Sequence, residues 1–103
     1  MPSSPSVLAR DSALLSDYDA GPLLDLLTVR GWTLAETPLA DVHATSPDGR
    51  LYIGWLPEDP GAWARGIHVH VTATPVGHEP WTQEFGIGTP LTAVTRFVTA
   101  LLD

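Results

Sequence analysis

The chain has 103 residues, a hydrophobic fraction of 44%, a charged fraction of 17% and a formal charge of −7. This is the size and balance of one globular domain, able to bury about two-thirds of the surface its unfolded chain exposes. With no cysteine there is no disulfide or thiolate chemistry, and with arginine as the only basic residue type there is no Schiff base and no P-loop lysine.

The N-terminal stretch, 1–18, reads as a flexible or loosely packed segment ahead of a single α+β domain over 19–103. Met1 to Ser6 is rich in Ser and Pro, and the apolar residues Val7, Leu8, Ala13, Leu14 and Leu15 are interrupted by Ser, Asp and Arg. No cationic start precedes a long apolar run, so a cytoplasmic protein is expected rather than a secreted one. No run approaches the ~20 apolar residues of a membrane span.

A helix is predicted from Pro22, where a missing N–H costs nothing in the first turn. Leu23, Leu26, Leu27 and Arg30 share one face, and Gly31 supplies a left-handed stop. From Trp32 the period changes to two, with Trp32 and Leu34 against Thr33 and Ala35. Asp41 to Thr45 is a short strand, closed by Pro47-Asp48-Gly49. Leu51, Ile53 and Trp55 then face one side, with Tyr52 and Gly54 on the other. Pro57 to Gly61 reads as a loop. Trp63 to Thr74 reads as the longest strand, with Ile67, Val69, Val71 and Ala73 opposite His68, His70, Thr72 and Thr74. Alternation of this kind belongs to an antiparallel sheet with one buried face. Pro75 to Pro80 returns the chain to a last strand, Trp81 to Phe85.

Thr89 is a candidate N-cap with Pro90 at the first helical position. Leu91, Val94, Phe97, Val98 and Leu101 make the apolar face of a terminal helix. The expected order is α-β-β-β-β-β-α: an antiparallel meander of four to five strands with the N-terminal and C-terminal helices packed on one face.

The block from Ser46 to Leu102 carries a further signal. Ser46-Pro47-Asp48-Gly49-Arg50, Trp63, the run Trp81-Thr-Gln-Glu-Phe85-Gly86 and Thr89-Pro90 fall at spacings that resemble an actinobacterial, Streptomyces-type family known as domain of unknown function 317. Matching residues reach back to Gly31-Trp32 and Val42-His43, so the resemblance spans residues about 22–102. It implies a shape and no established chemistry. Relatives often carry the domain in tandem, which implies that two units pack together and that a single-copy chain homodimerises.

His68 and His70 are the sharpest chemical candidates. Residues i and i+2 of a strand project from one face, so both imidazoles would reach one divalent metal, with His43, His78 or Glu84 as a third ligand. Against this stands a solvated or dimer-facing sheet surface. Of the four tryptophans, Trp32 and Trp81 read as core, while Trp55 and Trp63 flank the Pro-rich loop and suit a partner surface, with Arg65 or Arg50 beside it. Glu58-Asp59 reads as a solvated turn, and Asp48 and Arg50 as turn geometry. Ser46 has no Gly-x-Ser-x-Gly setting, and Gly86-Ile-Gly88 lacks a phosphate loop's third glycine and lysine.

The residues therefore favour a non-catalytic protein-interaction or regulatory module that self-associates through Trp55, Trp63, Arg65, His68 and His70, with no cofactor. The alternatives are a nucleic-acid-associated regulator using the aromatic and arginine surface, or a metal-binding protein using the histidine pair. The charge of −7 weighs against nucleic acid, whose affinity comes largely from neutralised phosphates.

Overall fold

The computed structural model describes residues 18–38 and 40–102. The predicted N-terminal segment lies outside the described residues except for Tyr18. The elements are α1 (Gly21–Val29), β1 (Thr33–Glu36), β2 (Val42–Thr45), β3 (Leu51–Trp55), α2 (Pro60–Arg65), β4 (Ile67–Ala73), β5 (Trp81–Gly86) and α3 (Leu91–Leu102). The five strands form one antiparallel sheet in the order β1-β2-β3-β4-β5, the expected meander.

Helix α1 ends as its sequence dictates. Gly31 takes φ +82°, its N–H donates to the Thr28 carbonyl, and the Trp32 N–H donates to the Leu27 carbonyl. This 6→1 and 5→2 pair satisfies the last carbonyls, and its apolar clasp is Leu27 with Trp32, both buried in the same cluster. The turn between β2 and β3 is equally determined. Ser46 Oγ donates to Asp48 Oδ1 at 2.6 Å and accepts the Leu51 N–H, while Asp48 Oδ1 also accepts the Arg50 N–H. Gly49 supplies the positive φ of 72° that closes the turn.

Two details differ from the sequence reading. The strand expected from Trp63 starts only at Ile67, because Asp59 to Gly66 forms a short helix with its own start and stop. Asp59 accepts the Ala62 N–H at 2.8 Å, Pro60 opens the first turn, and Gly66 ends it in the left-handed region. Trp63 and Arg65 are therefore helical residues. Helix α3 begins at Leu91, and its first bonds run to the Pro90 carbonyl, one residue later than the Thr89 cap predicted.

Leu23 and Leu27 of α1 and Leu91, Val94 and Val98 of α3 pack on Ala44, Ile53, Val69 and Val71, with Trp32 closing one end. Both long helices thus cover one face, as the amphipathic patterns required. Leu56, Ala62 and Ile67 form a second, smaller cluster beneath α2.

Replacing Leu27 by Ala removes a fully buried side chain and is expected to lower stability by about 2–5 kcal/mol. Val29→Ala, at a position 84% exposed, should stay within about 0.5 kcal/mol. Urea unfolding of both variants checks the assignment of the helix face.

Candidate functional site

The register sets out the second face of the sheet. Ala35, His43, Gly54, His70 and Glu84 are consecutive partners across all five strands, so they form one row on the side away from α1 and α3. Gly54 leaves the middle of that row without a side chain. Tyr52 fills it: a Cβ on Gly54 would lie 2.6 Å from the Tyr52 hydroxyl. From there the hydroxyl meets His43 Nδ1 at 2.6 Å, and the Tyr52 ring lies between the rings of His43 and His70. Burial, and then the carboxylates of Asp59 and Asp41, push the Tyr52 phenol up, so it stays protonated and able to donate.

On the other side of Tyr52, His70 Nδ1 lies 2.7 Å from Glu84 Oε2. A carboxylate only accepts, so the imidazole donates, and the Thr72 hydroxyl meets the ring's Nε2 at 2.9 Å. Arg65 reaches the same carboxylate from α2, with NH2 donating to Oε2 at 2.8 Å and Nε to Oε1 at 3.3 Å. The Arg65 hydrogen bond first, and that of His70 second, hold the Glu84 carboxyl below the usual range. Half-buried polar groups here are oriented by one another, from His43 to Arg65.

His68 is not part of this row. The β4–β5 register slips between Ile67 and Val69, a bulge that breaks the i, i+2 relation assumed for the two histidines. His68 instead packs its ring against Trp55 at 5.3 Å and Tyr18 at 6.3 Å and is only 4% exposed. His70 has different neighbours entirely, so the pair does not converge on a shared metal. Among the described residues no group of three or more His, Cys, Asp or Glu is placed to hold a metal ion.

The predicted contact residues thus divide in two. Arg65 and His70 belong to the polar row. Trp55, Trp63 and His68 meet at the end of the sheet, where they line a cleft of about 310 Å³ with Tyr18, Ile67 and Ile87. Trp63 is 59% exposed, and its indole N–H donates to the Pro57 carbonyl at 2.8 Å. His68 lines the cleft, and its Nε2 is buried away from solvent without a hydrogen-bond partner among the described residues. Burial pushes the His68 imidazole down, opposed by a hydrogen bond with the Thr89 backbone.

Trp32 is core, as read, whereas Trp81, also expected in the core, is 39% exposed on the edge strand and packs edge-on against Phe97. Four tryptophans therefore do not make one stacking platform. Arg50 donates to the Thr74 carbonyl and lies 3.9 Å from Asp48, and Arg65 is paired with Glu84. Both guanidinium groups are therefore already engaged by protein acceptors, although each is about half exposed. Tyr52 was visible in the sequence only as a residue of the polar face; the glycine two positions on was the signal for its placement. Glu84 was considered as a metal ligand, and its role as the acceptor for His70 and Arg65 depends on cross-strand register.

A family model described as SPDY, domain of unknown function (DUF317), matches residues 45–103, more than half of the chain. No curated protein and no solved structure gives a significant match.

Gly54→Ala forces the Tyr52 hydroxyl aside and is expected to cost about 1–3 kcal/mol. Combining it with Tyr52→Phe should cost less than the sum of the two single changes, read by a double-mutant cycle in urea. Glu84 gives a pH signature. Its folded-state pKa is lowered, so its contribution is present above the ordinary glutamate range and is lost as pH falls through the lowered value. Thermal melts should show wild type above Glu84→Gln near pH 7, with the gap closing below about pH 4.

Proposed function

We propose that this chain, which belongs to the SPDY family of domains of unknown function (DUF317), is a non-catalytic interaction module that pairs with a second copy of itself through the polar face of its sheet. The observation that carries this reading is the preorganised row from His43 to Arg65 on a face that neither long helix covers. Groups already held by one another lose little freedom when a partner docks.

Charge supports the same face. The chain carries −7 overall, so two copies repel over most of their surfaces. Glu84 is the only carboxylate in the central row, and Arg65 neutralises it. Thr45, Thr72 and Thr82 flank that row through the register with Tyr52 and add uncharged hydroxyls. A two-fold contact places the same patch on both partners, which favours a patch without net charge. A catalytic role for the one serine of the family-matched turn is unsupported by its setting, since its hydroxyl is taken up by Asp48 and the Leu51 N–H.

Sedimentation equilibrium of the full chain should show a concentration-dependent dimer. Thr45→Glu combined with Thr82→Glu places four new carboxylates in a two-fold contact and should weaken the dimer by at least about tenfold. Val29→Glu, on the outer side of α1, should leave it unchanged. A chain that stays monomeric at millimolar concentration would reject the reading.

A further inference from the structure

The cleft at the bulged end of the sheet lies outside the polar row, and its walls are almost wholly apolar. Tyr18, Trp55 and Trp63 line it with Ile67 and Ile87 around a volume of about 310 Å³, and no acidic residue or arginine faces it. Much of this wall is open to solvent: Trp63 is 59% exposed, Tyr18 53% and Ile87 36%. Six large apolar residues are exposed among the described residues, and three of them meet here. Single apolar residues scattered over a surface need no explanation, whereas a concave aromatic group of this kind marks a place that something covers.

The chain itself supplies the occupant. Tyr18 sets its ring edge-on to His68 at 6.3 Å, and two residues on, Ala20 is buried in the main core. Between them Asp19 accepts the Gly21 N–H at 2.9 Å and fixes the entry to α1. The polypeptide therefore enters the domain at the cleft, because Tyr18, where the described chain starts, is one of its lining residues. The residues ahead of it lie outside the described ones, and their sequence carries Val7, Leu8, Leu14 and Leu15. Leu15 is three positions from Tyr18 and Leu14 four, so even a fully extended chain keeps them within about 15 Å of it. A segment tethered so closely is present at an effective concentration on the order of millimolar, which a separate molecule rarely matches. The formal charge of −7 opposes the approach of a second copy and does not oppose a contact made within one chain by two uncharged leucines.

We infer that Leu14 and Leu15 dock on Trp63 and Ile87 of their own chain, so that the N-terminal segment closes the aromatic cleft. Docking takes out of water the apolar wall that the described residues leave open, and the tether limits the freedom lost in making the contact. The polar row takes no part in it, so the contact stands or falls separately from pairing through that face.

The test uses the full chain. In NMR spectra the methyl groups of Leu14 and Leu15 should show nuclear Overhauser contacts to the Trp63 ring and the Ile87 methyls. In a mixture of isotope-labelled and unlabelled chains, those contacts should appear within labelled chains and not between the two kinds. Leu14→Asp combined with Leu15→Asp should shift the Trp63 and Ile87 resonances and open the Trp63 ring to a soluble paramagnetic probe, with His43 and Glu84 unchanged. Trp63→Ala, at an exposed residue outside both buried clusters, should speed thermolysin cleavage ahead of Leu14 and Leu15 by at least about tenfold. Absence of contacts from the two leucines to the cleft overturns the inference. So does a Trp63 ring that ignores the double substitution, or cleavage that Trp63→Ala leaves unchanged. Contacts found only between labelled and unlabelled chains also overturn it, because the segment of a second copy is then the occupant.

Discussion

Ala44, Ile53 and Val71 stand opposite one another on three neighbouring strands, and Val42, Trp55 and Val69 form the next row along. Ala44, Ile53, Val69 and Val71 of these rows, with Trp55 packed against them, are the surface on which α1 and α3 come to rest, and among the described residues the other apolar cluster is smaller. The side-chain period of a strand is two, so burying these rows forces the alternate residues to the opposite side. His43, Tyr52, His70 and Glu84 owe their common face to that constraint, and so does the absence of a long helix over them. A slip of one residue between β2 and β3 would turn His43 toward the core, and one between β3 and β4 would do the same to His70.

The same constraint explains why the polar face is ordered. Gly54 is the one place in the central row without a side chain, and the Tyr52 ring occupies the gap. A tyrosine lying flat on the sheet separates His43 from His70 and touches both. Glu84 then holds His70 from the far strand while Arg65 approaches from α2. Each member restricts its neighbour, so the face is presented as a shaped surface rather than as a set of free side chains. Short helix α2 matters here beyond linking two strands, because it delivers the guanidinium that offsets the carboxylate of Glu84 on the edge strand.

One irregularity separates the polar row from the aromatic cleft. A bulge adds a residue to β4 opposite β5, which turns His68 toward Trp55 and Tyr18 and leaves Ile67 to pack with Leu56 and Ala62. Without it His68 and His70 would stand together on the polar face as a candidate metal pair. With it, one histidine belongs to a hydrogen-bonded row and the other to an aromatic cleft. Bulges re-aim side chains in this way, and sheet ends are where they concentrate.

Much of the fold was legible from residues alone because its signals are local. The α1 stop at Gly31, the Ser46–Gly49 turn, the alternation from Ile67 to Ala73 and the apolar stripe of α3 each depend on neighbours within a few positions. Asp59-Pro60 and Gly66 announce α2 in the same language, but six residues are too few for a helical period to show against the alternation that follows. The family-matched block is legible for the same reason. Tertiary structure alone decided which histidine faces which side, which carboxylate meets Arg65, and that Trp55, Trp63 and His68 line one cleft. Those outcomes depend on the register between β4 and β5 and on one added residue within it. Residues 14 and 19 positions apart, His70 with Glu84 and Arg65 with Glu84, are brought together by that register, which periodicity within a single strand does not encode.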